Sequence, residues 1–354
     1  MQENIGERKA RHLSICVDAS RYSVEGGSTG FEELSFIHRA LPEIRTEDVD
    51  TGLDFLGRRI SMPVLISSMT GGSDQGYEAN KNLARAAQQA GIPVGMGSMR
   101  ILFRKPEVFD HFHLKRYAPD VPVFANMGGV QIRDFPSAEV IEMVRRLEVD
   151  ALVVHLNPGQ ELFQDGGDRD FTGILDGISR ICDASPVPVI VKETGFGIHP
   201  GEVARLLDAG VSYVNLAGSG GTNWVTVEAY RLDGTMQAAA DEFASWGTPT
   251  APLLAAVGRR GGRIIASGGL RGGMDVAKAT ALGAELSGLA LPFIRAVVSQ
   301  GVDGVLEVTE KLRKTLEAVM IMTSSRTLDD LRRVPLLRSP GFDAQVRALR
   351  EAAV

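Results

Sequence analysis

The chain has 354 residues, 44% of them hydrophobic, and a formal net charge of −6 from 38 basic and 44 acidic side chains. That length holds two average domains or one large α/β barrel, and the composition supplies a core. The acidic balance gives no general attraction to nucleic acid, so an anion site must be built from local cations. Cys16 and Cys182 are too few for a disulfide framework and lack metal-ligand spacing. The charged N-terminus has no signal-peptide core, and no stretch approaches the roughly twenty apolar residues of a membrane span, so a soluble cytoplasmic protein is expected.

In chain order, residues 1–60 carry "ERKARH", "VEGGSTG" and "LPEIRTEDVDTG" and read as an N-terminal extension packed over the remainder of the chain, loosely held in its first twenty residues. Eight short apolar runs bounded by Gly and Pro then predict strands at 63–68, 92–97, 121–128, 151–156, 187–193, 213–218, 263–269 and 286–292. Between them, "EANKNLARAAQQAG", "SAEVIEMVRRLEVD", "PGEVARLLDAG" and "GGMDVAKATALGA" place apolar residues at helical spacing and end in Gly, Ala or Asp. Eight apolar strands alternating with amphipathic helices predict an α/β fold, a (β/α)8 TIM barrel over 61–325. A doubly wound sheet ranks lower, because eight units exceed its usual five or six strands. Residues 326–354 read as a C-terminal tail with one short helix.

In such a barrel the site gathers at the C-terminal strand ends. Those ends read "SSMTGG", "GSMR", "NMGG", "HLNPGQE", "KETGFG", "AGSGGTNW", "SGGLRGG" and "ALP". The glycines of "SGGLRGG" and the helix beginning near Gly273 favour a bound phosphate, from a flavin mononucleotide, a nucleotide or a sugar phosphate. Lys192 ends an apolar strand and needs a polar or anionic partner; a Schiff-base lysine, a cation beside a flavin ring and a cap on Glu193 all remain open. His155, Asn157, Gln160 and Glu161 share one loop, and a single carboxylate suits Mg²⁺ held largely through substrate phosphates. Asp165 and Asp168 read as part of the turn that leads the chain away. Arg8, Lys9, Arg11, His12 and Arg100 read on their own as a solvated charge run, and as the extra cations needed if the substrate carries a diphosphate.

Taken together in this order, "RKARHL", "MTGG", "GSMR", "HLNPGQE", "VKETGFG", "GSGGTNW" and "SGGLRGG" resemble the type 2 isopentenyl-diphosphate isomerases, over about 285 residues. The resemblance implies interconversion of isopentenyl and dimethylallyl diphosphate with reduced FMN, NADPH as its reductant, Mg²⁺, and a homo-oligomer, tetramer or octamer. It implies FMN contacts at Ser67, Ser68, Met69, Thr70, Ser98, Asn126 and Lys192, and at Ala217, Thr222, Gly269, Leu270, Arg271, Ala290 and Leu291. Substrate would meet Arg8, Lys9, His12, Ser98, Met99, Arg100, His155, Asn157, Gln160 and Trp224, with Gln160 and His155 nearest the chemistry and Glu161 on the metal. Met99 departs from the family pattern, where many members carry Gln. An FMN oxidase of 2-hydroxy acids is the nearest rival, but the loop after the sixth strand offers no histidine. A nucleotide dehydrogenase of the inosine-monophosphate type needs a loop cysteine, which neither Cys16 nor Cys182 provides.

Overall fold

The computed structural model describes residues 5–71 and 73–353, without the side chains of residues 5–7. Gly72, the second glycine of "MTGG", lies outside the described residues. Eight strands, β1 (Val64–Ile66), β2 (Val94–Gly95), β3 (Val123–Gly128), β4 (Ala151–His155), β5 (Val189–Lys192), β6 (Tyr213–Asn215), β7 (Ile264–Ser267) and β8 (Leu286–Leu289), form one closed barrel. Every pairing around the ring is parallel, including β8 to β1 through Ser287 and Val64. Closure excludes the doubly wound sheet. Each strand falls inside a predicted run and is shorter; in every run but that of β3 the last residues leave the ladder to form the mouth. The register places His155, Lys192 and Asn215 side by side on β4, β5 and β6.

The described helices that frame the mouth are α1 (Ile5–Val17), α2 (Asp74–Ala90), α3 (Pro158–Phe163), α4 (Trp224–Ala229), α5 (Gly273–Ala281) and α6 (Leu291–Met322). Ser73 caps α2, its hydroxyl accepting from the Gly76 amide at 3.1 Å, and Gly91 ends that helix at φ 68°, as the sequence pattern expects. The other helical patterns form Ser137–Arg146, Pro200–Asp208 and α5. Among the described residues no helix is long and apolar enough to cross a membrane.

The extension departs from its expected looseness. Ile5–Val17 is helical and packs on α6, α2 and α4, because Leu13, Ile15 and Cys16 are buried and repay the ordering of the segment. Residues 53–60 form a hairpin, Leu53–Phe55 with Arg58–Ile60. Its Phe55 ring lies 6.2 Å from Phe124 and 5.0 Å from Tyr213, residues at the starts of β3 and β6, and so stops the bottom of the barrel. Between these, Leu34–Phe36 pairs antiparallel with Leu336–Arg338 of the tail. The tail's last helix, Pro340–Glu351, packs against Thr250–Val257.

Candidate active site

Two cavities meet at the mouth. The inner one, about 140 Å³, is lined by Ser67, Ser68, Met69 and Thr70 after β1, by Ala217 and Thr222 after β6, by Gly269 and Arg271 after β7, and by Ala290 and Leu291 after β8. The outer one, about 180 Å³, takes Arg8, Lys9, Ser98, Arg100, Arg104, Asn126, His155, Asn157, Gln160 and Glu161. Lys9, His12, Ser68, Met69, Lys192 and Trp224 line both.

The inner wall is backbone packed on backbone. Gly268 and Gly269 sit at φ 98° and 76°, and a Cβ on Gly268 would lie 1.9 Å from the Gly218 carbonyl oxygen, so only glycine allows the loops after β6 and β7 to touch. Ala217 is held at φ 43°, a costly conformation for a residue with a side chain. The Ser67 and Thr70 hydroxyls are buried without partners, an arrangement that calls for a polar ligand. The amides of Arg271 and Gly272 donate to Asp275 at 2.8 and 3.2 Å, so they are not among the glycine-loop donors available to a phosphate. The Arg271 side chain, aligned by Glu25 at 2.9 Å, is the cation at that end.

The outer wall is cationic. Lys9 reaches Ser98 O at 3.4 Å and lines the outer cavity with Arg8 and His12, whereas Arg11 is exposed and lines neither cavity. Burial, then the Arg8 and Arg100 charges, lowers the Lys9 ammonium to about 8; burial lowers Lys192 to about 8 against the opposing pull of Glu193. His155 is pushed down to about 3 by burial, then by Lys192, Lys9 and Arg100, and is therefore neutral. Its Nδ1 lies 2.7 Å from Asn126 Oδ1. An amide oxygen only accepts, so Nδ1 carries the proton and Nε2 is left as an acceptor. Lys192 donates to the Glu193 carbonyl at 2.6 Å, while the Glu193 carboxylate accepts from the Gly195 and Phe196 amides at 2.5 Å. Glu193 ties its own loop and does not face the lysine.

Pro158 at the first turn starts α3 directly after β4, setting Gln160 and Glu161 beside Asn157. Asn157 Nδ2 donates to Gln160 Oε1 and to Glu161 Oε1, both at 3.0 Å. Gln160 Nε2 donates to Glu228 Oε1 at 3.1 Å. Glu228 is 1% exposed and also meets His12 Nε2 at 2.9 Å and the Arg231 guanidinium. Burial alone would raise its carboxyl, but hydrogen bonding and charge from His12, the Arg231 charge and the Gln160 bond together hold it below the usual range. The His12 and Trp224 rings meet edge to face at 5.4 Å.

Several expectations change. Asp168 belongs to the site: its amide donates to Glu161 Oε2 at 2.8 Å, its carboxylate accepts from Gln131 at 2.9 Å and lies 4.0 Å from Arg100. Asp165 stays exposed in the turn. Met99 is fully buried and lines neither cavity, because its turn directs it into the core; a substrate contact by its side chain is not supported. Leu270 likewise points inward at 1% exposure. Ser98 and Asn126, expected at the flavin, line only the outer cavity. Sequence reasoning missed Glu228 and Arg231. "WVTVEAYR" held a signal, a charged pair three residues apart amid buried Val225 and Val227. Among the described residues no group of three or more His, Cys, Asp or Glu could hold a metal.

The FMN-dependent dehydrogenase family matches residues 17–103 and 139–338. Isopentenyl-diphosphate delta-isomerases align along nearly the whole chain: that of Borrelia garinii subsp. bavariensis is 44% identical over 334 residues, 94% of this chain and 93% of the relative. That of Nostoc sp. is 42% identical over 329 residues, 92% and 93%. The chain belongs to the type 2, FMN-dependent isopentenyl-diphosphate delta-isomerases. Its fold is shared more widely. A flavocytochrome b2 variant solved with sulfite superposes with a TM-score of 0.68 at 22% identity, over 96% of this chain and 84% of that one. A mandelate oxidase variant gives 0.63 at 19%, over 94% and 98%. Those likenesses concern the fold alone, and in this chain the loop after β6 carries no histidine.

Proposed function

We propose that this chain interconverts isopentenyl and dimethylallyl diphosphate, with FMN in the inner cavity and the diphosphate in the outer one. The observation that carries the reading is the junction of the two: a chamber with unpartnered hydroxyls and a lysine opens directly into one with Arg8, Lys9, Arg100 and Arg104. A protein of net charge −6 gathers those cations against desolvation and mutual repulsion only for a strongly anionic ligand. Glu161 would hold Mg²⁺ that is shared with the diphosphate.

The reaction adds a proton to the terminal alkene carbon and removes one from the methylene beside the resulting tertiary cation, with no net redox. When bound, reduced FMN supplies an electron-rich ring and an exchangeable N5 proton, NADPH being the proposed source of its electrons. Ser67, Thr70, Lys192 and Arg271 hold it. Arg8, Lys9, Arg100 and Arg104 donate to the diphosphate, and neutral His155 and Asn157 line the same end of the cavity. Gln160, fixed between Asn157 and Glu228, orients the alkene, and Trp224 walls off water that would quench the cation. A homo-oligomer in the cytoplasm completes the reading. Protein mixed anaerobically with isopentenyl diphosphate, FMN, Mg²⁺ and a reductant should yield dimethylallyl diphosphate; its absence, with flavin bound, refutes the assignment.

A further inference from the structure

The stretch "VEGGSTG" is built onto the two glycine loops that line the inner cavity. Glu25 forms an antiparallel bridge with Thr222, the Asn223 amide donates to the Val24 carbonyl at 2.8 Å, and the Gly26 amide donates to the Gly221 carbonyl at 3.3 Å. Thr29 sits so close to the loop after β6 that a Cβ on Gly220 would lie 2.5 Å from its nitrogen. This backbone pairing fixes the point from which the Glu25 side chain starts. Its Oε1 accepts from Arg271 Nε at 2.9 Å and from Nη2 at 2.5 Å, and its Oε2 lies 3.6 Å from Arg295 Nη1 near the start of α6. Arg295 is itself held by Nε donating to the Cys16 carbonyl at 3.2 Å, and Arg271 Nη1 donates to the Leu270 carbonyl at 2.8 Å.

These contacts engage three of the five N–H donors of Arg271 and leave two, one on each terminal nitrogen, on a side chain that lines the inner cavity. The Glu25 and Arg271 side chains are 39% and 35% exposed, and a pair so open to water adds little to stability. Its effect is geometric. Two cations against one anion leave the trio with one net positive charge, and the carboxylate between them offsets the repulsion that would drive Arg271 out into solvent.

We propose that Glu25 is a positioning residue for Arg271, and that "VEGGSTG" thereby forms a third wall of the site for the flavin phosphate, beside the loops after β6 and β7. An arginine left free would give up its rotamer freedom on meeting the phosphate; Glu25 imposes that order beforehand, so more of the contact appears as affinity. Arg295 offsets the repulsion that the Glu25 carboxylate exerts on a phosphate, since the trio stays cationic. The inference rests on the flavin reading, with the phosphate at the Arg271 end of the inner cavity. Its consequence is discrimination between flavins: FMN gains from the held guanidinium, and riboflavin, which has no phosphate, does not.

The test is titration of the full chain, freed of flavin, with FMN and with riboflavin at fixed ionic strength, followed by quenching of flavin fluorescence. Arg271→Met should lower FMN affinity by about tenfold or more and leave riboflavin affinity at the parent value. Glu25→Leu should lower FMN affinity by about three- to tenfold, again without moving riboflavin, and the double variant should lose no more than Arg271→Met alone. FMN affinity in Glu25→Leu equal to or above the parent's overturns the positioning role. So do equal losses for both flavins, which mark a general loosening of the loops, and losses that add in the double variant. If Glu25→Leu does not fold, Glu25→Met gives the same contrast. An Arg271→Met protein that keeps the parent's FMN-to-riboflavin ratio puts the phosphate elsewhere and refutes the flavin-site reading itself; a ratio lowered there and unchanged in Glu25→Leu refutes the role of Glu25 alone.

Discussion

Glu228→Gln keeps the volume of a side chain that is 1% exposed and removes its charge. Arg231, whose side chain is 8% exposed, then loses the carboxylate beside it. Removing one partner of a buried ion pair costs at most about 3–5 kcal/mol, the upper end needing a charge left wholly alone, whereas Arg231 keeps other contacts. Unfolding entropy of about 2.1 cal/mol/K per residue, over 354 residues, turns that ceiling into a drop of up to about 4–7 °C in Tm. The assay is thermal denaturation at pH 7 and fixed scan rate, with Arg231→Met and the double variant completing a cycle. The double variant should recover most of the loss. The sign with pH follows from the depressed carboxyl: the charged form contributes stability above the unfolded-state pKa and loses it as pH falls through the folded one, so parent and variant should converge in acid. A drop below about 1 °C, which is less than 1 kcal/mol on the same scale, or a double variant worse than the sum of the singles, would show that the pair contributes no net stability.

His155, lowered to about 3 from 6.5, resists protonation in the fold, so stability should fall as pH drops from 6.5 toward 3, by at most about 1.4 kcal/mol per pH unit. Denaturant melts at stepped pH should show a flatter slope for His155→Gln. Gly268→Ala, with its Cβ 1.9 Å from Gly218 O, should bind less than about a tenth of the parent's flavin, read as the flavin-to-protein absorbance ratio. Gln160→Ala should lower kcat by about a hundredfold or more with little change in KM; full turnover with reduced flavin would exclude its orienting role. Glu161→Gln should raise the Mg²⁺ concentration for half-maximal turnover by at least about tenfold, and an unchanged requirement would move the metal elsewhere.

The barrel was legible because each strand is buried on both faces and therefore reads as a short unbroken apolar run, from "VLI" at β1 to "LSGL" at β8. The loops after those runs named most residues that line the two cavities. The polar shell behind them was hidden by distance along the chain: Glu228 reaches Gln160 across 68 residues and Arg231 reaches His12 across 219. Asp168 was assigned to a departing turn because nothing local shows that the chain bends back to offer its amide to Glu161. Met99 and Leu270 illustrate the converse, since a loop motif names neighbours that face opposite ways and only the fold decides which one meets the ligand. Helix α1 is hard to read because most of its apolar residues crowd into Leu13–Val17 and its stability comes from docking on α6, which a local pattern does not display.

Leu34–Phe36 is laddered to Leu336–Arg338, and Tyr230 is bonded to Ser23 across 207 residues. Each of these early segments therefore finds its partner only when a distant part of the chain is in place. Such long-range closure slows folding, and the buried face of α1 stays open to aggregation until α6 has formed. Removing residues 336–338 should accordingly loosen residues 34–36, whose strand partner they are.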